Sequence, residues 1–216
     1  MGAPSYDLLM ASIPHRYDRL CLLLAEFDRQ MRPGVGLRIH YDNLVVPVGE
    51  KYGILVRSSQ ADYVSVFEDD DWPAPDFIDR ILKALESRPD YVGFPVKWTH
   101  DGIPQIPIEH SLRYSDWHNY PHMLVRDINQ FNPMRRQLAL LGTYAAKDPD
   151  RDVAWDYYWT TGVRASGLCK TEAWIPEPMH YYRTLSHDTF LTPRVPMAGE
   201  DIPPVPKYPW LTEVSG

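Results

Sequence analysis

Four acids stand side by side in this chain. Glu68, Asp69, Asp70 and Asp71 follow directly on residues 63–67, "YVSVF", with no turn residue between, and run into Trp72, Pro73 and "APDF". Adjacent carboxylates raise one another's energy unless a cation neutralises them. Hard oxygen donors suit Mg²⁺ or Mn²⁺, which take one or two carboxylates together with phosphate oxygens. The acids sit between a strand and a helix start. Open α/β sheets bind their ligands at that place, and the helix N-terminus favours negative charge. A solvated acidic turn is the alternative. The apolar strand leading straight into the acids favours a metal site that holds a diphosphate.

The elements that must position these acids alternate regularly. Residues 6–13 read as a strand. A helix follows, with Tyr17, Leu20, Cys21, Leu24, Phe27 and Met31 on one face, and Pro33 and Gly34 end it. Residues 35–42 form a second strand, 49–60 a short helix, and 62–67 a third strand with little alternation, as in a sheet covered on both faces. Pro75 opens a helix whose apolar side carries Phe77, Ile78, Ile81, Leu82 and Leu85. Residues 90–98 are another strand. This order predicts an α/β sandwich with a mainly parallel sheet. Residues 100–122 are rich in aromatic, histidine and proline residues, without periodicity, and read as a loop or irregular hairpin. Residues 132–144 and 152–167 read as helices. The last 24 residues hold six prolines and read as an extended tail packed along the surface or partly mobile.

The bulk composition narrows the function classes. A chain of 216 residues suits one domain. Its 22 basic and 29 acidic residues give a net charge of -7, which disfavours non-specific binding to nucleic acid or anionic membrane. Its two cysteines, Cys21 and Cys169, make neither a disulfide framework nor a zinc set, so a reducing compartment is expected, with Cys21 as a buried small hydrophobe. No apolar run is long enough for a membrane span. The start "MGAPSYD" lacks a signal segment, and Tyr6 breaks the myristoylation pattern. A soluble cytoplasmic protein is the expectation.

The segment "KYGILVRSSQADYVSVFEDDDWPAPDF" resembles the central part of family 2 glycosyltransferases, which have the GT-A fold. The resemblance rests on a basic helix, a small residue with Asp-Tyr, a strand, the acid block, an aromatic residue and a Pro-Asp-aromatic helix start. It covers residues 6–97 well and the remainder more weakly. It implies one GT-A domain over 1–216, with a nucleotide-sugar half at 1–98, an acceptor and catalytic half at 99–192 and a proline-rich tail at 193–216.

By the same resemblance, "SIPHR" is a nucleotide-contacting loop, so Pro14 and Arg16 would touch the donor. Asp42 would contact the base and Lys51 would face the nucleotide, while Tyr52 replaces a common arginine. Asp70 takes the principal metal position and Asp69 the place of a ribose or metal contact. Glu68 stands where the first Asp of the motif is usual. The acids can be read as Glu68-x-Asp70 or Asp69-x-Asp71, so the metal set is Glu68, Asp70 and Asp71 with either register open.

Inverting transfer needs a general base at the acceptor hydroxyl. Asp152, at the start of the 152–167 helix, is the first candidate and Asp156, one turn later, the second. "PMHYYRTLSHDT" resembles the segment that closes over the donor phosphates. It supplies His180 and His187 as candidate metal ligands and Arg183 as a phosphate partner. The expected cofactor is Mn²⁺ or Mg²⁺. The expected donor is a nucleotide-diphosphate sugar, a UDP-sugar first.

The acceptor is open between a saccharide, a small molecule and a hydroxymethylated pyrimidine in DNA. The last comes from a likeness to phage enzymes, which would place the protein in the host cytoplasm. For it, Arg135, Arg136 and the aromatic cluster Trp98, His110, Tyr114, Trp117, His118 and Tyr120 would serve a flipped base and its phosphates. A nucleotidyltransferase would need a glycine-rich loop that "SIPHRYDR" lacks. A binding module without turnover remains the non-enzymatic alternative.

Overall fold

The computed structural model describes residues 2–43, 45–144, 155–184 and 203–215. Alternation of side chains across a strand builds its centre. β1 (Tyr6–Ser12) sends Tyr6, Leu8 and Met10 into one core and Leu9 into the other. A short 3-10 turn at Pro14–Arg16 leads into α1 (Tyr17–Gln30), which buries Leu20, Leu23, Leu24 and Phe27. Cys21 is only half-buried, because Leu23 rather than Cys21 continues the inward face. Gly34, at φ +85°, makes the left-handed turn out of α1.

β2 (Val35–Tyr41) pairs in parallel with β1. α2 (Val48–Ser58) crosses to β3 (Tyr63–Val66), which lies parallel to β1 on its other side and is buried at all four residues. The acids follow, then β4 (Trp72–Pro73), α3 (Phe77–Leu85) and the ten-residue β5 (Tyr91–His100). α1 and α3 cover one face of the sheet. α2 covers the other.

The second half is more regular than its sequence suggests. β6 (Ile103–Pro104) and β7 (Ile108–His110) pair antiparallel to β5, and β8 (His118–Tyr120) forms a hairpin with β9 (Met123–Arg126) beside β7. β10 (Met134–Arg135) lies antiparallel between β3 and β5, and only Arg136–Ala139 is helical, as α4. The expected 132–144 helix is thus mostly absent. Pro133 disfavours helix at the residue before it, and fully buried Met134 gains more from the sheet and its core than local propensity offers.

α5 (Trp155–Ser166) packs Trp155, Trp159 and Val163 into the α2 side. β11 (Glu172–Trp174) and β12 (His180–Thr184) run parallel to different stretches of β5, and β12 also pairs with β4. The tail does more than lie on the surface. β13 (Leu211–Glu213) adds a parallel edge strand to β2, Val205 is buried, and the Trp210 indole N–H donates to Asp28 at 2.8 Å. Among the described residues no helix is long and apolar enough to cross a membrane.

Candidate functional site

The C-terminal ends of β1, β2 and β3 meet at one edge of the sheet, and the acids are gathered there. Ser12, the last residue of β1, donates its hydroxyl to Asp69 Oδ2 at 2.6 Å. Arg16, brought in by the turn that Pro14 opens, reaches Asp69 at 2.6 Å and Asp70 at 3.1 Å. Asp69 is therefore held by two donors from the first strand and its turn. The three acids that converge without it are Glu68, Asp70 and Asp71, each offering an oxygen within 4.8 Å of the others.

His180 Nε2 lies 2.6 Å from Asp71 Oδ2, with both side chains fully buried, and the backbone N–H of Arg183 donates to Asp71 Oδ1 at 2.9 Å. His180 is clamped between rings, with Phe131 stacked at 4.4 Å and Phe67 at 4.5 Å. Its Nδ1 is buried without a hydrogen-bond partner among the described residues. The Arg183 guanidinium donates to the Asp70 carbonyl oxygen at 3.0 and 2.9 Å.

This geometry strains the acids electrostatically. Burial, then the charge of Asp71, pushes the Asp70 carboxyl up to about 7, against the opposing pull of Arg16. Burial raises half-buried Glu68 well above the ordinary carboxyl range, and Asp70, Asp71 and Asp156 add to it. Asp70 Oδ1 is buried with no donor. A buried carboxylate oxygen without a partner is costly unless a proton or a cation meets it. The residues present therefore fit a divalent cation: hard oxygen donors, close together, one of them orphaned.

Asp156 heads α5, and its charge is felt at Glu68 and at Tyr182. Burial raises its carboxyl above the ordinary range, opposed by hydrogen bonds from the Tyr157 N–H and Gln130 and by the charge of Arg126. Arg126 lies over the Trp117 ring, 4.9 Å from its centre, and Trp117 meets Tyr157 edge-on at 5.6 Å. Tyr182 completes this face; burial and the nearby acids hold its hydroxyl protonated. Asp152 and His187 lie outside the described residues.

At the β2 corner, Asp42 pairs closely with the buried Lys51 ammonium and accepts the Val46 N–H at 3.0 Å. His40 sits behind them, fully buried, with its pKa lowered by desolvation. Tyr52 is buried and stacks on Trp155 at 4.7 Å, so the position of a common arginine is filled by core packing.

Other candidates disperse. Arg135 binds Asp90 at 3.1 Å, and Arg136 donates to the Val56 and Arg57 carbonyls at 3.1 and 3.2 Å. Arg135 pairs with Tyr63, at the opposite end of β3 from the acids, so neither arginine faces the site. Of the aromatic cluster, His110 is buried on Asn132 at 2.7 Å, Trp98 bonds Thr184, and His118 and Tyr120 are exposed on β8.

Sequence reasoning overlooked Ser12, Tyr182, Arg126 and Phe131. The first two carried a signal. Ser12 ends a strand just before the Pro14 turn, and Tyr182 alternates with Arg183 along β12, beside His180.

No protein-family model matches the chain, and no curated protein matches it in sequence. Solved structures do match. They include S. aureus TarS 1-349, at 8% identity and TM-score 0.58, over 83% of this chain. The same protein in complex with UDP matches at 10% identity and TM-score 0.59, and in complex with UDP-GlcNAc at 10% and 0.57. The chain spans 60% of the TarS 1-349 chain. At such identity the likeness is one of fold, and the fold is the α/β, GT-A type that the sequence led us to expect.

Proposed function

We propose that the chain is a metal-dependent, inverting glycosyltransferase that moves a sugar from a nucleotide-diphosphate sugar, a UDP-sugar first, to an acceptor hydroxyl. The observation that carries this reading is the convergence of Glu68, Asp70 and Asp71 at the carboxyl ends of parallel strands, with one buried oxygen unpartnered. It agrees with a fold shared with a protein crystallised with UDP and UDP-GlcNAc.

In this reading Glu68 and Asp70, aided by Asp71, hold Mn²⁺ or Mg²⁺. When bound, the ion would offset charge on the leaving diphosphate. His180 is a positioning residue that fixes Asp71. Arg16 faces the phosphates from the β1 turn and holds Asp69, while Asp42 and Lys51 border the nucleoside. Arg183 steadies the acid loop from behind through the Asp70 carbonyl.

Asp156 takes the acceptor proton; Asp152 is the alternative base. The acceptor oxygen forms the new bond to the anomeric carbon, and the bond from that carbon to the diphosphate oxygen breaks with its electron pair leaving on the nucleoside diphosphate. A carboxylate with a raised pKa, near the acids and beside the exposed Tyr157, suits that task. Arg135 and Arg136, turned away, lend no support to a DNA-base acceptor.

A thermal-shift and hydrolysis screen of UDP- and GDP-sugars, with and without Mn²⁺, tests the reading. A stabilising shift and slow hydrolysis that both need Mn²⁺ and vanish in Asp70→Ala support it. Binding without hydrolysis or transfer would make the protein a sugar-nucleotide-binding module. Absence of any Mn²⁺-dependent shift would sink the metal site.

A further inference from the structure

β12 has two chemically different faces. Its pairing with β5 sets Tyr181 opposite Lys97 and Arg183 opposite Thr99, and its pairing with β4 sets Tyr181 opposite Trp72. Side chains at paired positions share a face of the sheet, and neighbours along a strand take opposite faces. His180 and Tyr182 therefore turn toward the acids, while Tyr181 and Arg183 turn away with Lys97, Thr99 and Trp72. These five residues line a pocket of about 450 Å³.

Two of the five are cations, two are aromatic and one is a hydroxyl; none is acidic. Among the described residues the Lys97 ammonium has the Tyr181 ring 5.6 Å away and no carboxylate partner. In a chain of net charge -7, with four acids on the next loop, a basic pocket goes against the local charge. Aromatic faces stack on sugar rings. Lysine and arginine pair with carboxylate or phosphate. The volume lies within the range of small-molecule sites, about 300 to 1,000 Å³.

We propose that this pocket is a second binding site, separate from the acid cleft, for an anionic saccharide: a sugar ring bearing a phosphate or a carboxylate. The ring lies against Trp72 and Tyr181, and the anionic group meets Lys97 and the outer edge of Arg183. The site does not depend on the acid cluster binding a sugar nucleotide. It adjoins that cluster through Trp72, which follows Asp71 in the chain, and through Arg183, whose backbone N–H and guanidinium both hold the acid loop.

Calorimetric titration of the full chain in EDTA, which keeps metal out of the acid cleft, tests this with four probes: glucose 6-phosphate, glucuronic acid, glucose and inorganic phosphate. At least one of the two anionic sugars should bind, and which one does identifies the anionic group. Glucose and inorganic phosphate should each bind about tenfold or more weakly, because each offers half of the recognition. Lys97→Glu, at an exposed position, should keep the melting temperature and weaken the anionic sugar about tenfold or more. No binding of either anionic sugar overturns the proposal. So does equal binding by Lys97→Glu, or inorganic phosphate binding as tightly as the sugar phosphate. A Tyr181→Ala variant gives an independent check on the ring: unchanged affinity for the anionic sugar removes the stacking surface and, with it, the proposal.

Discussion

The His180 imidazole and the Asp71 carboxylate meet at 2.6 Å with both side chains closed off from solvent. This contact joins the loop after β3 to a strand more than a hundred residues later. The loop of four acids is thus fixed by β12, and Asp70 Oδ1 is left buried without a partner among the described residues.

Replacing His180 by Ala should therefore do two things. Asp71 loses a buried hydrogen bond to its charge, which costs about 3 kcal/mol, read as a melting temperature lower by about 6 to 12 °C. Freed from its orienting partner, Asp71 should also weaken Mn²⁺ binding about 10- to 100-fold. Titration of Mn²⁺ measures the second effect, and an unchanged affinity would remove His180 from its positioning role.

Asp70 gives a pH dependence of definite sign. Its folded pKa, pushed up to about 7, lies above its ordinary value of 3.8, so the folded state binds the proton more tightly than the unfolded chain. The stability associated with that proton is present in full below the ordinary carboxyl range and is lost as pH rises through about 7. Without metal, wild type should lose about 2–4 kcal/mol relative to Asp70→Asn between pH 4 and 8. Urea denaturation of both proteins in EDTA across that range measures the difference. Parallel curves would show that Asp70 is not held protonated by its surroundings. Saturating Mn²⁺ should flatten the wild-type curve, because the ion replaces the proton.

Asp156→Asn should leave donor binding near normal and slow turnover by about 10² to 10⁴. The raised pKa of Asp156 should also put the acidic limb of the wild-type rate profile above the ordinary carboxyl range. Single-turnover rates with equilibrium donor binding separate the two quantities. If Asp152→Asn loses the turnover instead, the base is Asp152.

The first half of the fold was legible because its signals are local. Short apolar strand runs, the periodic faces of α1 and α3, and the Pro–Gly stop before β2 each depend on neighbouring residues. The position of the acids at the strand end follows from the same pattern. What escaped the sequence depends on distant pairing. Met134 and Arg135 look helical and become a strand only because β3 and β5 leave a space between them. Leu211–Glu213 look like tail and become an edge strand because β2 offers one. Within the site, the acid cluster could be read directly. That Asp69 is held apart by Ser12 and Arg16 could not, since those donors come from another strand. Arg135 and Arg136 carry a charge pattern that suggests phosphate binding, and only the direction of β10 sends them to the wrong end of the sheet.

The ion pair at the β2 corner gives the last test. Lys51 is nearly inaccessible, with its side chain 3% exposed, whereas Asp42 keeps 14%. The two halves should therefore not be equally costly to remove. Lys51→Met leaves a carboxylate that still accepts the Val46 N–H and can be reached by water, so the loss should fall near about 3 kcal/mol, the low end for a broken buried pair. Asp42→Asn strands a buried ammonium beside a histidine that desolvation keeps neutral, and its cost should approach about 5 kcal/mol. The double variant removes both charges, so its loss should fall short of the sum of the two single losses by about 2–3 kcal/mol, the coupling energy read from a double-mutant cycle. Urea denaturation of the four proteins measures all three quantities. Additive losses would mean that Lys51 and Asp42 do not depend on each other. The corner would then be two separate charges, and its part in holding the nucleoside would need another pair of residues.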